Sequence, residues 1–164
     1  MNQGRLSVAI IGAGPVGSVL GQALASAGHM IAGIASTNPK NIERAETMLP
    51  GALVKTLPQL LELADLVLFA IPADQLEATI GGISEAKLWR SGQLVAHTAG
   101  QFGYSVFNSA AQQGVIPLAI HPAMSFTGTS VDLARIRESY FAVSAPTVAL
   151  PVPVMRPTPR PYWT

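Results

Sequence analysis

The chain contains no cysteine, which excludes disulfides, thiol nucleophiles and thiolate metal sites together. A reducing compartment suits such a chain, and a cytoplasmic location is expected. Charge is scarce as well: Asp, Glu, Lys and Arg make up 12% of 164 residues and leave a formal net charge of +1. The ten Lys and Arg are scattered without a run, so the basic face of a nucleic-acid or anionic-membrane surface is missing. Neither partner is expected. Long unbroken apolar runs are lacking too. Val8 to His29 comes nearest, following a lone Arg5 and holding Ala25-Ser26-Ala27 where a secretory signal would be cleaved. Gly12, Gly14, Pro15, Gly17 and Gly21 interrupt it where a signal or a membrane span would be continuous.

What is present is apolar material, 49% of the residues, in a length typical of one well-packed domain. Leu6 to Ile11 is β-branched and stops at a glycine, as a strand buried on both faces does. From Pro15, Val16, Val19, Leu20, Ala23, Leu24 and Ala27 recur at helical spacing, and Gly28 stands where a left-handed cap belongs. Met30 to Ala35 reads as a second strand, and Ser36 to Pro39 as a turn opening a polar helix to about Leu49. Ala52 to Val54 is a weak strand, Leu57 to Ala64 a short helix, and Asp65 to Ile71 a strand closed by Pro72. Leu76, Ile80 and Ile83 mark a helix face. Gln93 to Thr98 is the next strand, Tyr104, Phe107 and Ala111 the next helical stripe, and Val115 to Ile120 and Tyr140 to Val143 the last strands. Strands alternating with helices predict a doubly wound, mostly parallel α/β sheet of six or seven strands with helices on both faces, in one domain over residues 1–145.

Gly12, Gly14 and Gly17 form G-x-G-x-x-G between a strand and a helix. Gly12 permits the tight turn, Gly14 lets backbone approach a pyrophosphate, and Gly17 lets the helix pack closely. Ala13, Pro15 and Val16 share that corner, where helix N–H groups and the positive dipole end meet phosphates. No lysine follows, which excludes a Walker A loop. The end of the second strand carries no carboxylate to pair with ribose hydroxyls. Ser36, Thr37 and Asn38 stand there instead, with Lys40 and Arg44 just beyond and Glu43 the first acid. The expected cofactor is therefore NADP, with NAD as the alternative. Asn38-Pro39 also suits a helix cap.

Ligands of such sheets sit beyond the carboxyl ends of the strands. Ala70, Ile71 and Pro72 are expected to pass under the cofactor, and Thr98 to meet it. His97 and His121, at the ends of the fifth and sixth strands, are the candidate catalytic residues, because an imidazole titrates near neutrality and can deliver a proton as a hydride arrives. His29 follows Gly28 in a turn and is expected to be inert. Two histidines without a nearby carboxylate suggest no metal, and Ser125 lacks the surroundings of a triad.

VAIIGAGPVGSVLGQAL, DLVLFAIPADQL, HTAG and LAIHPAMSF, at these intervals, resemble the Rossmann-like NAD(P)-binding domain of the DUF2520 oxidoreductase family over about residues 5–145. That family is similar to pyrroline-5-carboxylate reductases and to 6-phosphogluconate and prephenate dehydrogenases. The resemblance implies hydride transfer with a small carbonyl, imine or hydroxy substrate. It also implies a following helical domain that completes the pocket and often dimerises, with His97 and His121 near the nicotinamide. A nucleotide-binding module or redox sensor without turnover is the alternative from another class, and a deazaflavin-dependent NADP reductase shares the same glycine corner. Residues 146–164 hold six of the thirteen prolines and no acid. They are expected to be an irregular tail, and to reflect a truncation or a shifted reading frame.

Overall fold

Alternate residues of the first strand, β1 (Ser7–Ile11), enter two different cores, which is why that run needs no polar face. Val8 and Ile10 belong to one apolar cluster, Ala9 and Ile11 to the other. The structure, a computed structural model, describes residues 4–147. After β1 come α1 (Pro15–Ser26), β2 (Met30–Ala35), α2 (Pro39–Met48), α3 (Leu57–Leu63), β3 (Leu66–Phe69), α4 (Ala73–Glu85) and β4 (Leu94–His97). A single 3-10 turn over Tyr104–Phe107 runs into α5 (Asn108–Ala111), followed by β5 (Ile116–Pro122), α6 (Val131–Ile136) and β6 (Phe141–Ser144).

The sheet order is β2-β1-β3-β4-β5-β6, parallel through β5 and antiparallel at β6. Val19, Leu20, Ala45 and Met48 of α1 and α2 cover one face, joined by Leu133 and Ile136 of α6. Leu60, Leu61, Leu76, Ile80, Phe107 and Ala110 cover the other. This is the doubly wound α/β architecture. From β1 the chain moves outward to β2 and then returns past β1 to β3, so connections leave these two neighbours in opposite directions. A crevice opens there, at the carboxyl ends of the strands.

Several boundaries differ from the expectation. Ala52 to Val54 contributes one bridge, Val54 to Ile34, beside β2. Leu53 and Val54 are exposed there, so no burial extends the pairing. Six strands result. β3 is shorter than Asp65 to Ile71: Ala70 N–H still donates to Ile11 O, but Pro72 can donate nothing and the chain turns away. β5 runs on to Pro122 because His121 and Pro122 pair with Ala142 and Phe141 of β6. The stripe expected on Tyr104, Phe107 and Ala111 is corrected to Phe107 and Ala110, since the 3-10 turn shifts the helical phase and leaves Ala111 exposed. Among the described residues no helix is long and apolar enough to cross a membrane. The tail expected at 146–164 lies, from residue 148 onward, outside the described residues.

Candidate functional site

Gly12 ends β1 with φ of +93°, and a Cβ there would stand 2.5 Å from the Ala70 carbonyl oxygen. A Cβ on Gly17 would overlap the Gly12 carbonyl oxygen. The turn is therefore pressed between the end of β3 and the first turn of α1, and side chains are excluded at both positions. Ser18, fully buried, locks it by donating from Oγ to Ala13 O at 2.9 Å. Gly14 differs. It caps α1 without a side-chain hydrogen bond, and the nearest atom to a Cβ built on it is Asn41 Nδ2, at 3.9 Å. Its open side is the crevice.

That crevice has a volume of about 770 Å³, within the range of sites for small ligands and cofactors. Gly12, Gly14, Pro15 and Val16 form its corner, Ser36, Thr37 and Asn38 one end, and Ala70, Ile71, Pro72 and Thr98 the opposite wall. Ala13 and Gly17 do not line it: Ala13 is fully buried and Gly17 is spent on the packing of α1. The residues present fit a dinucleotide. They offer a Cβ-free approach to a helix N-terminus, an apolar wall of Ile71 and Pro72, and a hydroxyl- and amide-bearing end. Sequence reasoning missed the polar Asn41 and Gln75 on the lining, together with the apolar Ile11, Ala35, Leu57, Ala73 and Ala99. Asn41 carried a signal, since it stands three residues after the cap Asn38 and so shares its helix face.

At the β2 end, Asn38 N–H donates to Ser36 Oγ at 3.3 Å, and Asn38 Oδ1 accepts from Lys40 N–H at 3.0 Å. The helix-cap role and the lining role thus coexist in one turn. The nearest acid along the chain, Glu43, is exposed on α2.

The histidines meet the loop after β4 from two sides. His97 is buried; its Nδ1 accepts from Ala99 N–H at 3.2 Å, so its proton sits on Nε2, which donates to Gly103 O at 2.9 Å. Both ring nitrogens are occupied by this loop. Burial pushes its pKa below the ordinary histidine value, against the opposing effect of the bond to Gly103. His121 is exposed, and its Nδ1 lies 3.2 Å from Thr98 O. A carbonyl can only accept, so Nδ1 carries a proton, and Nε2 has no hydrogen-bond partner among the described residues. The ring stands against Gly100, where a Cβ would come within 2.6 Å of it. Neither ring lines the crevice, although Thr98 and Ala99, which they brace, do. His29 accepts from Leu6 N–H at 3.0 Å, a structural bond.

Residues 1–122 match the family model described as a Rossmann-like domain. No curated protein matches the chain. Among solved structures, a protein of Bacteroides fragilis provisionally assigned as an NADP oxidoreductase superposes with a TM-score of 0.70 at 22% identity, over 88% of this chain and 53% of that one. A semialdehyde dehydrogenase NAD-binding protein from Cupriavidus necator, solved with calcium and NAD, gives 0.57 at 19% identity, over 80% and 47%. An imine reductase from a Pseudomonas species gives 0.55 at 16% identity, over 73% and 42%. At these identities the likeness is one of fold. The chain spans about half the length of the structures it matches.

Proposed function

The chain belongs to the Rossmann-like domain family, and from that premise we propose that it is an NAD(P)-dependent oxidoreductase holding its dinucleotide, NADP in preference to NAD, in the crevice between β1 and β3. The observation that carries this reading is Gly14: an uncapped helix start, free of side chains, opens onto a cleft whose far end has hydroxyls and amides in place of a carboxylate. A carboxylate there would repel a 2′-phosphate; Ser36, Thr37 and Asn38 do not. When bound, the dinucleotide supplies or accepts a hydride, with a small carbonyl, imine or hydroxy compound as the substrate class.

This chain's own residues do the rest. First-turn N–H groups of α1 face the pyrophosphate, and Ile71 and Pro72, with Ala70 and Thr98 in the same wall, exclude water along one side. His121, held at Nδ1 by Thr98 and packed against Gly100, is the proton carrier. His97 acts through the loop it pins. LAIHPAMSF and HTAG favour the DUF2520 branch, with a helical substrate domain in the intact protein and a homodimer formed through it. The assignments of the Bacteroides and Pseudomonas neighbours support the same reaction class, and the lack of cysteine suits the cytoplasm.

A second reading is favoured by one fact: neither His97 nor His121 lines the crevice. On that reading it is a nucleotide-binding module or redox sensor without turnover. The discriminating experiment mixes the full chain and NADPH with a panel of carbonyls and imines and follows nicotinamide fluorescence. Oxidation that disappears in His121→Gln supports the enzyme. Saturable NADPH binding with no oxidation of any member supports the module, and tighter binding of NADH than of NADPH overturns the NADP preference.

A further inference from the structure

Asn41 lines the same crevice beside the glycine corner, and Arg44 stands behind it. Asn41, in the first turn of α2, accepts at Oδ1 from Arg44 Nη1 at 2.9 Å. Guanidinium nitrogens only donate, so this bond fixes the amide, with Oδ1 toward Arg44 and the NH2 group away from it. Nδ2 is then the atom 3.9 Å from the position of a Cβ on Gly14, and both residues line the crevice. The Nδ2 group of Asn41, with its two N–H donors, therefore stands beside the start of α1, on the lining of the same crevice.

Arg44 is itself seated. Gly128 packs against it so closely that a Cβ there would lie 2.8 Å from Arg44 Nε and 3.0 Å from Pro15 Cα. The loop carrying Gly128 is clamped by Asp132, a fully buried carboxylate that accepts from Thr127 N–H at 2.7 Å and Gly128 N–H at 2.8 Å. Among the described residues Arg44 forms no ion pair, so its charge is uncompensated beside the cleft.

We propose that Asn41 donates to a phosphate oxygen of the bound dinucleotide, and that Arg44, seated by the loop of Thr127 and Gly128, is the positioning residue that turns the amide toward it. This rests on the dinucleotide reading of the crevice and adds a donor beside its glycine corner. It also ties the segment leaving His121 to the cofactor corner, since the loop that seats Arg44 follows β5. The shared chemistry is a phosphate oxygen, from either the 2′-phosphate of NADP or the pyrophosphate common to both cofactors.

The test is a double-mutant cycle on the full chain, with Kd for NADPH and NADH from nicotinamide fluorescence and a melting curve for each variant. Asn41→Ala is expected to weaken binding about tenfold, as loss of a hydrogen bond to a charged group does. Arg44→Ala is expected to weaken it several-fold alone and by less than twofold in the Asn41→Ala background, because it acts through Asn41. A packing role for Arg44 would instead make the losses add. Asn41→Asp, which keeps the size and can still pair with Arg44, is expected to weaken binding at least as much as Asn41→Ala, and it decides the matter if the alanine variant folds poorly. Losses confined to NADPH assign the 2′-phosphate; losses with both cofactors assign the pyrophosphate. Affinities within twofold of wild type, or additive losses, overturn the proposal and leave the dinucleotide reading standing. A wild-type chain that binds neither cofactor overturns both.

Discussion

Gly14 and Gly17 belong to one motif, yet the structure gives them opposite sensitivities. Gly17→Ala forces a methyl into the Gly12 carbonyl and is expected to cost about 2–3 kcal/mol, as overpacking does, lowering Tm by roughly 5–10 °C in a chain of this size. Gly14→Ala has room, so its cost stays below about 1 kcal/mol, that of a poorer cap, while NADPH affinity falls about tenfold or more because the methyl occupies the phosphate approach. Melting curves and cofactor titrations on both variants check this. The division was half legible in the sequence: the spacing of the glycines is local and assigns their tasks, and Asn41 and Arg44 are one helical turn apart, whereas the contact of Arg44 with Gly128 joins α2 to a distant loop that no periodicity links. His97 carries a second expectation at this scale. Burial holds its folded pKa below about 6.5, so between the two values the unfolded chain binds the extra proton. The stability contributed by the neutral ring is complete above about pH 6.5 and is lost as pH falls through the lowered folded value. Tm should decline from pH 7 to pH 5, with a shallower decline in His97→Gln; equal slopes would show that the ring titrates alike folded and unfolded.

The elements that were readable are those whose own residues decide them. β2 starts and ends where its composition does, and α2 begins at Asn38-Pro39, a cap and a first-turn proline in sequence. Elements decided by a partner were not: β5 is lengthened by β6, and the helix stripe after β4 is rephased by a 3-10 turn that no residue in it announces. α6 is the clearest case. Asp132 looks like one more acid in the sequence, but it is the hub that gathers Thr127 N–H, Gly128 N–H and Arg135 Nη1 at 3.0 Å. Burial pushes its carboxyl up; the bonds from Gly128, Thr127 and Arg135 outweigh that and hold it below the usual carboxylate range. Its contribution is present above the unfolded value, near pH 4, and is lost as pH falls through the lower folded one. Asp132→Ala, which orphans those donors, is expected to cost about 2–4 kcal/mol. Amide exchange should speed across residues 125–136 while β1 and β3 stay protected; unchanged exchange there would remove the clamp.

At the scale of the whole molecule, fold class was legible because strands and helices alternate along the chain, and a parallel sheet with a switch point follows from that order. The crevice at that point gathers a side-chain-free helix start, an apolar wall and a strand end without an acid, from segments as distant in sequence as Gly12 and Thr98. On that convergence we propose that the corner between β1 and β3 seats linked phosphates. Calorimetric titration of the full chain with NADPH and with NADH, alongside the Gly14→Ala variant, tests it most directly. The expected result is saturable heat for wild type, tighter for NADPH, and strongly weakened binding in a Gly14→Ala chain that still melts within a few degrees of wild type. No heat with either cofactor, or equal affinity in wild type and Gly14→Ala, would contradict it.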